Sequence, residues 1–131
     1  MNEHEKQTIS AFILKEKRPR YRLILDDPQR RASGLDRLNH CRDLDPKYVT
    51  WLRSNAAVVE LLREAGSPET VYVISSTAAI DGQLLPLQAA VEGASLGGWG
   101  TIISCVPGRL AYYYDEVGER RALLQRNAKA R

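Results

Sequence analysis

The chain has 131 residues, 44% hydrophobic and 27% charged, with a net charge of +3; this is ordinary globular usage and excludes fibrous, low-complexity and disordered classes. A domain of that length buries roughly two-thirds of the surface its unfolded chain exposes, so a core needs no disulfide or metal staple. The uncharged stretch Thr70–Ile80 is too short and polar to span a bilayer, and Glu3, His4, Glu5 and Lys6 leave no room for a leader, so a cytoplasmic address without a membrane partner is expected.

Residues 1–8 read as a frayed tail. From Thr8, the spacing of Ile9, Phe12 and Ile13 is helical, and Pro19 is expected to end or kink what begins there. Tyr21 to Leu25 fits a strand or a helical turn, and the helical context favours the latter. Asp27-Pro28 supplies a capping acceptor followed by a proline at the first helical position, opening a helix through Leu44 with Ala32, Leu35, Leu38 and Cys41 inward. Asp45-Pro46 repeats the signature over a short turn, with Tyr48, Trp51 and Leu52 as core contacts. Ser54 or Asn55 caps the next helix, whose stripe is Val58, Val59, Leu61, Leu62 and Ala65 and whose exit is Gly66 and Pro68.

Thr70 to Ser76 is rich in β-branched and aromatic residues on both faces, the pattern of a central strand. Asp81-Gly82 is a tight turn, and Pro86 opens a helix with Leu87, Ala90, Val91 and Ala94 inward, ended by Gly97, Gly98 and Gly100. Were this helix a crossover, Thr70–Ser76 and Thr101–Cys105 would be parallel neighbours. Thr101–Cys105 and Leu110–Tyr114 form a hairpin about Val106-Pro107-Gly108-Arg109. Gly118 marks the last turn, residues 119–126 form a final edge strand with a short helix as the alternative, and residues 127–131 form a disordered tail. The expected fold is a single α+β domain over residues 1–131: N-terminal helices packed on one face of a small three- or four-stranded mixed sheet built by the C-terminal half.

Cys41 and Cys105 read as buried free thiols rather than a disulfide or zinc set. A Cys105/His40 pair oriented by Asp81, or a hydrolase-like site using Ser75 or Ser76, lacks any supporting motif, since no G-x-S-x-G elbow is present. Metal ligands at workable spacing are also missing, and no cofactor is implied. The glycine loop Gly97-Gly98-Trp99-Gly100 runs from helix to strand, the reverse of a phosphate cradle.

What remains is recognition. Trp99, Gly98, Arg109 and the alternating Tyr112 and Tyr114 suggest a stacking and anion-binding surface on an open side of the hairpin, with Ser75, Ser76 and Asp81 beside it. The leading expectation is therefore a non-enzymatic binding or interaction domain for a protein or small molecule, assembling as a homodimer through an edge strand. The alternative is a nucleic-acid-binding module: through residue 53 there are 12 Lys/Arg against 8 Asp/Glu, and afterwards 7 against 8. Its footprint would be Arg18, Arg20, Arg22, Arg30, Arg31 and Arg37.

Overall fold

A computed structural model describes residues 1–116 and 120–126. The turn assigned to Gly118 and the tail 127–131 lie outside the described residues. Helices α1 (Glu3–Phe12), α2 (Arg18–Asp26) and α3 (Pro28–Gly34) are followed by strand β1 (Val49–Trp51), helix α4 (Val58–Glu64), strands β2 (Thr70–Ser75) and β3 (Leu84–Pro86) and helix α5 (Leu87–Gly97). Strands β4 (Thr101–Val106), β5 (Leu110–Tyr114) and β6 (Arg121–Gln125) complete the chain.

The class is α+β, but the sheet is larger than expected and differently built. Among the described residues it has six strands in the order β1-β6-β5-β4-β2-β3, every neighbour antiparallel. The two unforeseen strands, β1 and β3, are three residues each, too short to show an alternation. β3 also overturns the parallel reading: it reverses the chain beside β2 before α5 begins, so α5 delivers β4 antiparallel to β2. β6 is a strand rather than a helix, yet it is no edge, because β1 pairs along its outer side.

Both faces of the sheet are covered. Ile9 and Phe12 of α1 and Tyr21, Ile24 and Leu25 of α2 pack on Tyr72, Ile74, Ile102, Ala111, Tyr113, Ala122 and Leu124. On the opposite face, Val58 and Leu62 of α4 and Leu87, Ala90 and Ala94 of α5 cover Val71, Val73, Ile103, Cys105, Leu110, Tyr112 and Tyr114. A sheet sandwiched in this way leaves only its edges and ends for recognition.

Local chemistry explains the helix boundaries. Asn2 caps α1 by accepting from the Glu5 N–H at 2.9 Å, with Glu3 and Glu5 in the positive first turn, so residues 1–8 are not a frayed tail. Pro19 begins α2 rather than ending a helix, sitting in its first turn where no N–H is missed. The helix opened by Asp27 and Pro28 stops at Gly34, gives one 3-10 segment (Leu35–Leu38) and turns at His40, whose φ of 54° is left-handed. Gly34 is required for the close approach of α2, since a Cβ there would lie 2.7 Å from the Ile24 side chain.

Candidate functional site

The end of the sheet nearest His40 gathers several elements. His40 leaves the 3-10 segment in the left-handed conformation, a backbone state that costs a non-glycine residue about 1 kcal/mol or more. The turn leaves Cys41 buried in the core and Arg42 exposed, both lining a hollow with Trp51 of β1. Asn39 Oδ1 accepts the Gly100 N–H at 2.5 Å, which ties this segment to the glycine loop. Beneath it, the Tyr113 hydroxyl donates to Leu38 O at 2.6 Å and accepts the Cys41 N–H at 3.1 Å, so a buried phenol fixes the segment to the sheet. Burial raises the pKa of that phenol.

Trp51, the last residue of β1, stands on the same face of the sheet. Its indole meets Tyr113 edge-on at 6.5 Å and carries the Arg120 guanidinium 3.8 Å from its ring centre, while remaining 46% exposed. Around these groups lies a hollow of about 190 Å³, lined by His40, Cys41, Arg42, Trp51, Tyr113, Asp115 and Arg120. An adjoining hollow of about 380 Å³ shares Cys41, Arg42, Trp51 and Arg120 and continues over Leu14, Leu44, Pro46 and Val49. Together they make one groove with a polar and an apolar half.

The charges in the polar half are unequal. His40 Nε2 lies 2.6 Å from Glu116, and the Asp115 carboxylate is buried and accepts the Arg120 backbone N–H at 2.9 Å. Asp43 is held by Arg37 at 3.1 Å and by the Tyr21 hydroxyl at 2.7 Å. Arg42 and Arg120 have no carboxylate partner among the described residues.

The residues anticipated from sequence are placed differently. Tyr112 and Tyr114 are buried at 1% and 6% exposure under α4 and α5, so they offer no stacking platform. Arg109 sits in the turn at the far end of β4 from the glycine loop and lines another hollow with Gly66 and Gln125. Ser75, Ser76, Gly98 and Trp99 do share the His40 end, but their groups are engaged. Ser75 Oγ is 2.7 Å from Thr101 Oγ1, Ser76 donates to Asp36 at 2.9 Å, and Gly98 supplies the left-handed cap of α5. Trp99 is half exposed. Asp81 is bound at both oxygens by Arg31 and accepts the Ser75 N–H.

The arginine set is mostly occupied inside the molecule. Arg31 bridges Asp81 at 2.6 Å and Glu5 at 2.8 Å, Arg37 pairs with Asp43, Arg30 with Asp27, and Arg18 donates to Ile13 O. Arg20 and Arg22 remain exposed without an acid partner among the described residues. Arg20, Arg30 and Arg37 also rim a hollow of about 630 Å³ between α2 and α3, over the exposed Leu23.

The candidate nucleophiles and bases lie apart. Cys105 is buried under α4 and α5, and burial pushes its thiol up to about 11; burial raises Cys41 as well. His40 is on the other face with Glu116, and Asp81 is spent on Arg31. One serine–histidine contact was not foreseen: His4 Nδ1 lies 2.8 Å from Ser104 Oγ and stacks on Tyr72 at 5.3 Å. Ser104 is buried beneath it, which makes the pair a pin between α1 and β4. No three His, Cys, Asp or Glu among the described residues converge on a point suited to a metal ion. No helix among them is long and apolar enough to cross a membrane.

Comparison with protein-family models, curated proteins and solved structures returns no match. The functional reading therefore rests on the groove itself. Sequence reasoning missed its chief residues: Trp51 reads as a core contact, and Arg42 is lost in a charged segment. The usable signal was Val49-Thr50-Trp51, a β-branched and aromatic triplet that places an indole on an edge.

Proposed function

We propose that this chain is a binding domain whose ligand presents an anionic group to the groove between Arg42, Trp51 and Arg120. The observation that carries the reading is the Arg120 guanidinium stacked on the Trp51 indole at the rim of the hollow. A guanidinium held flat on an indole has its position fixed by cation–π attraction. Its edge N–H groups stay free to meet a carboxylate or phosphate in the paired geometry that Arg favours. Arg42 brings a second positive charge to the same hollow, against the single carboxylate that lines it, Asp115.

Binding is favoured over reaction because burial holds both thiols protonated, and Cys41, which lines the groove beside His40, has its Sγ turned onto the Tyr21 hydroxyl and the Asp43 N–H. The test is an amide-resolved NMR titration of the full chain with inorganic phosphate and with acetate. Saturable shifts concentrated at residues 40–42, at the Trp51 indole and at Arg120 are expected. Shifts that never saturate, or that gather on the arginines between α2 and α3, would overturn the reading.

A further inference from the structure

The groove is divided along its length. Its polar end holds His40, Arg42 and Arg120, and its other end is lined by Leu14, Leu44, Pro46 and Val49, with Trp51 between the two. A purely apolar ligand would strip water from two guanidiniums without replacing their hydrogen bonds, which is costly. A bare inorganic anion would satisfy the guanidiniums and leave the apolar half in water. The ligand that satisfies both ends carries a compact negative head and an aliphatic tail. In the larger hollow between α2 and α3, two of the three lining guanidiniums, Arg30 and Arg37, are already paired with Asp27 and Asp43, and Glu16 brings a negative charge.

From this partition we infer that the groove takes a free aliphatic monocarboxylate, its head between Arg42 and Arg120 and its tail over Leu14, Leu44, Pro46 and Val49. The inference rests on the anion reading above and narrows it to a ligand class. The charges lining the head end agree with it: the guanidiniums of Arg42 and Arg120 outnumber the one carboxylate there, Asp115, which accepts the Arg120 backbone N–H, while Asp43 nearby is paired with Arg37. The indole of Trp51, apolar in body, lies at the junction of head and tail.

The experiment is a calorimetric series on the full chain with acetate, butanoate, hexanoate and octanoate. Affinity should rise roughly tenfold for each two methylenes added, the gain expected when each is withdrawn from water. Pro46→Glu places a charge at the apolar end and should flatten the series. Val49→Thr, nearly the same shape but polar, should flatten it part-way, and circular dichroism confirms the fold of each variant. A series that is flat in the unsubstituted chain, or equally steep in Pro46→Glu, overturns the inference. If the flat series comes with acetate shifts at Arg42 and Arg120, the anion reading survives; if no anion moves those residues, both readings fall.

Discussion

On the sheet face beneath α1, α2 and α3, buried polar groups are threaded through the core: Arg31 joins Glu5 to Asp81, the Tyr72 hydroxyl donates to Glu5 at 2.5 Å, and Tyr21 donates to Asp43. Beneath α4 and α5, the core is Val58, Leu62, Val71, Val73, Leu87, Ala90, Ala94 and Ile103 with two tyrosines and a thiol. Apolar burial is non-directional and tolerates rearrangement, whereas a buried charge or hydroxyl is stable only against a particular partner in a particular place. The difference teaches that one face supplies bulk burial while the other fixes how the N-terminal helices sit. The proposed groove lies on the second, where position is most tightly specified.

The most severe way to break this contrast is to remove Arg31. Arg31→Ala leaves Glu5 and Asp81 without their shared cation and should cost about 3–5 kcal/mol in chemical denaturation. Lysine cannot restore it, because one ammonium cannot reproduce the guanidinium's fork to both carboxylates. Leu62→Met on the apolar face should cost less than about 1.5 kcal/mol by the same measurement. If Arg31→Lys proved as mild as Leu62→Met, the two faces would not differ as described.

A smaller effect is expected from Tyr113→Phe, which strands the Leu38 carbonyl and the Cys41 N–H inside the core. A loss of about 1–3 kcal/mol should accompany faster amide exchange at Cys41. The least damaging change is Trp51→Ala, which should move stability by no more than about 1 kcal/mol, since the indole is half exposed. It should nevertheless abolish the saturable anion response, a separation of function from stability that a purely structural tryptophan would not show.

Titration sharpens the contrast further. Burial holds the His4 pKa below its ordinary value of 6.5, with Glu5 opposing the shift. Above about pH 6.5 both folded and unfolded states are neutral at His4; as pH falls below that value the unfolded chain takes the proton first, and stability is lost. His4→Gln should lessen this loss between pH 7 and 5.5, read from denaturation midpoints. An unchanged profile would show that His4 contributes nothing to it.

Much of the secondary structure was legible. The β4–β5 hairpin, β2 as a central strand and the inward stripes of α4 and α5 follow from periodicity and from Gly and Pro placement, whereas α2 was favoured only by its helical context. The sealing of the second face was less so, although Leu110–Tyr114 runs apolar without a break, the signature of a strand covered on both sides. Reading its tyrosines as half exposed put a stacking surface where α4 and α5 cover the sheet. Arg31 was equally opaque, since its partners lie 26 residues before it and 50 after it, and no local spacing announces such a pairing. Arg120 likewise reaches Trp51 only because β1 pairs with β6 across the length of the chain.

The central claim, that recognition belongs to the groove at Trp51, is tested most directly in Trp99→Phe, which leaves Trp51 as the only indole. Titrated with octanoate, its fluorescence should change saturably, and that change should vanish when Arg42 and Arg120 are both replaced by Ala. A fluorescence signal indifferent to the carboxylate, or one that persists without the two arginines, would contradict the account.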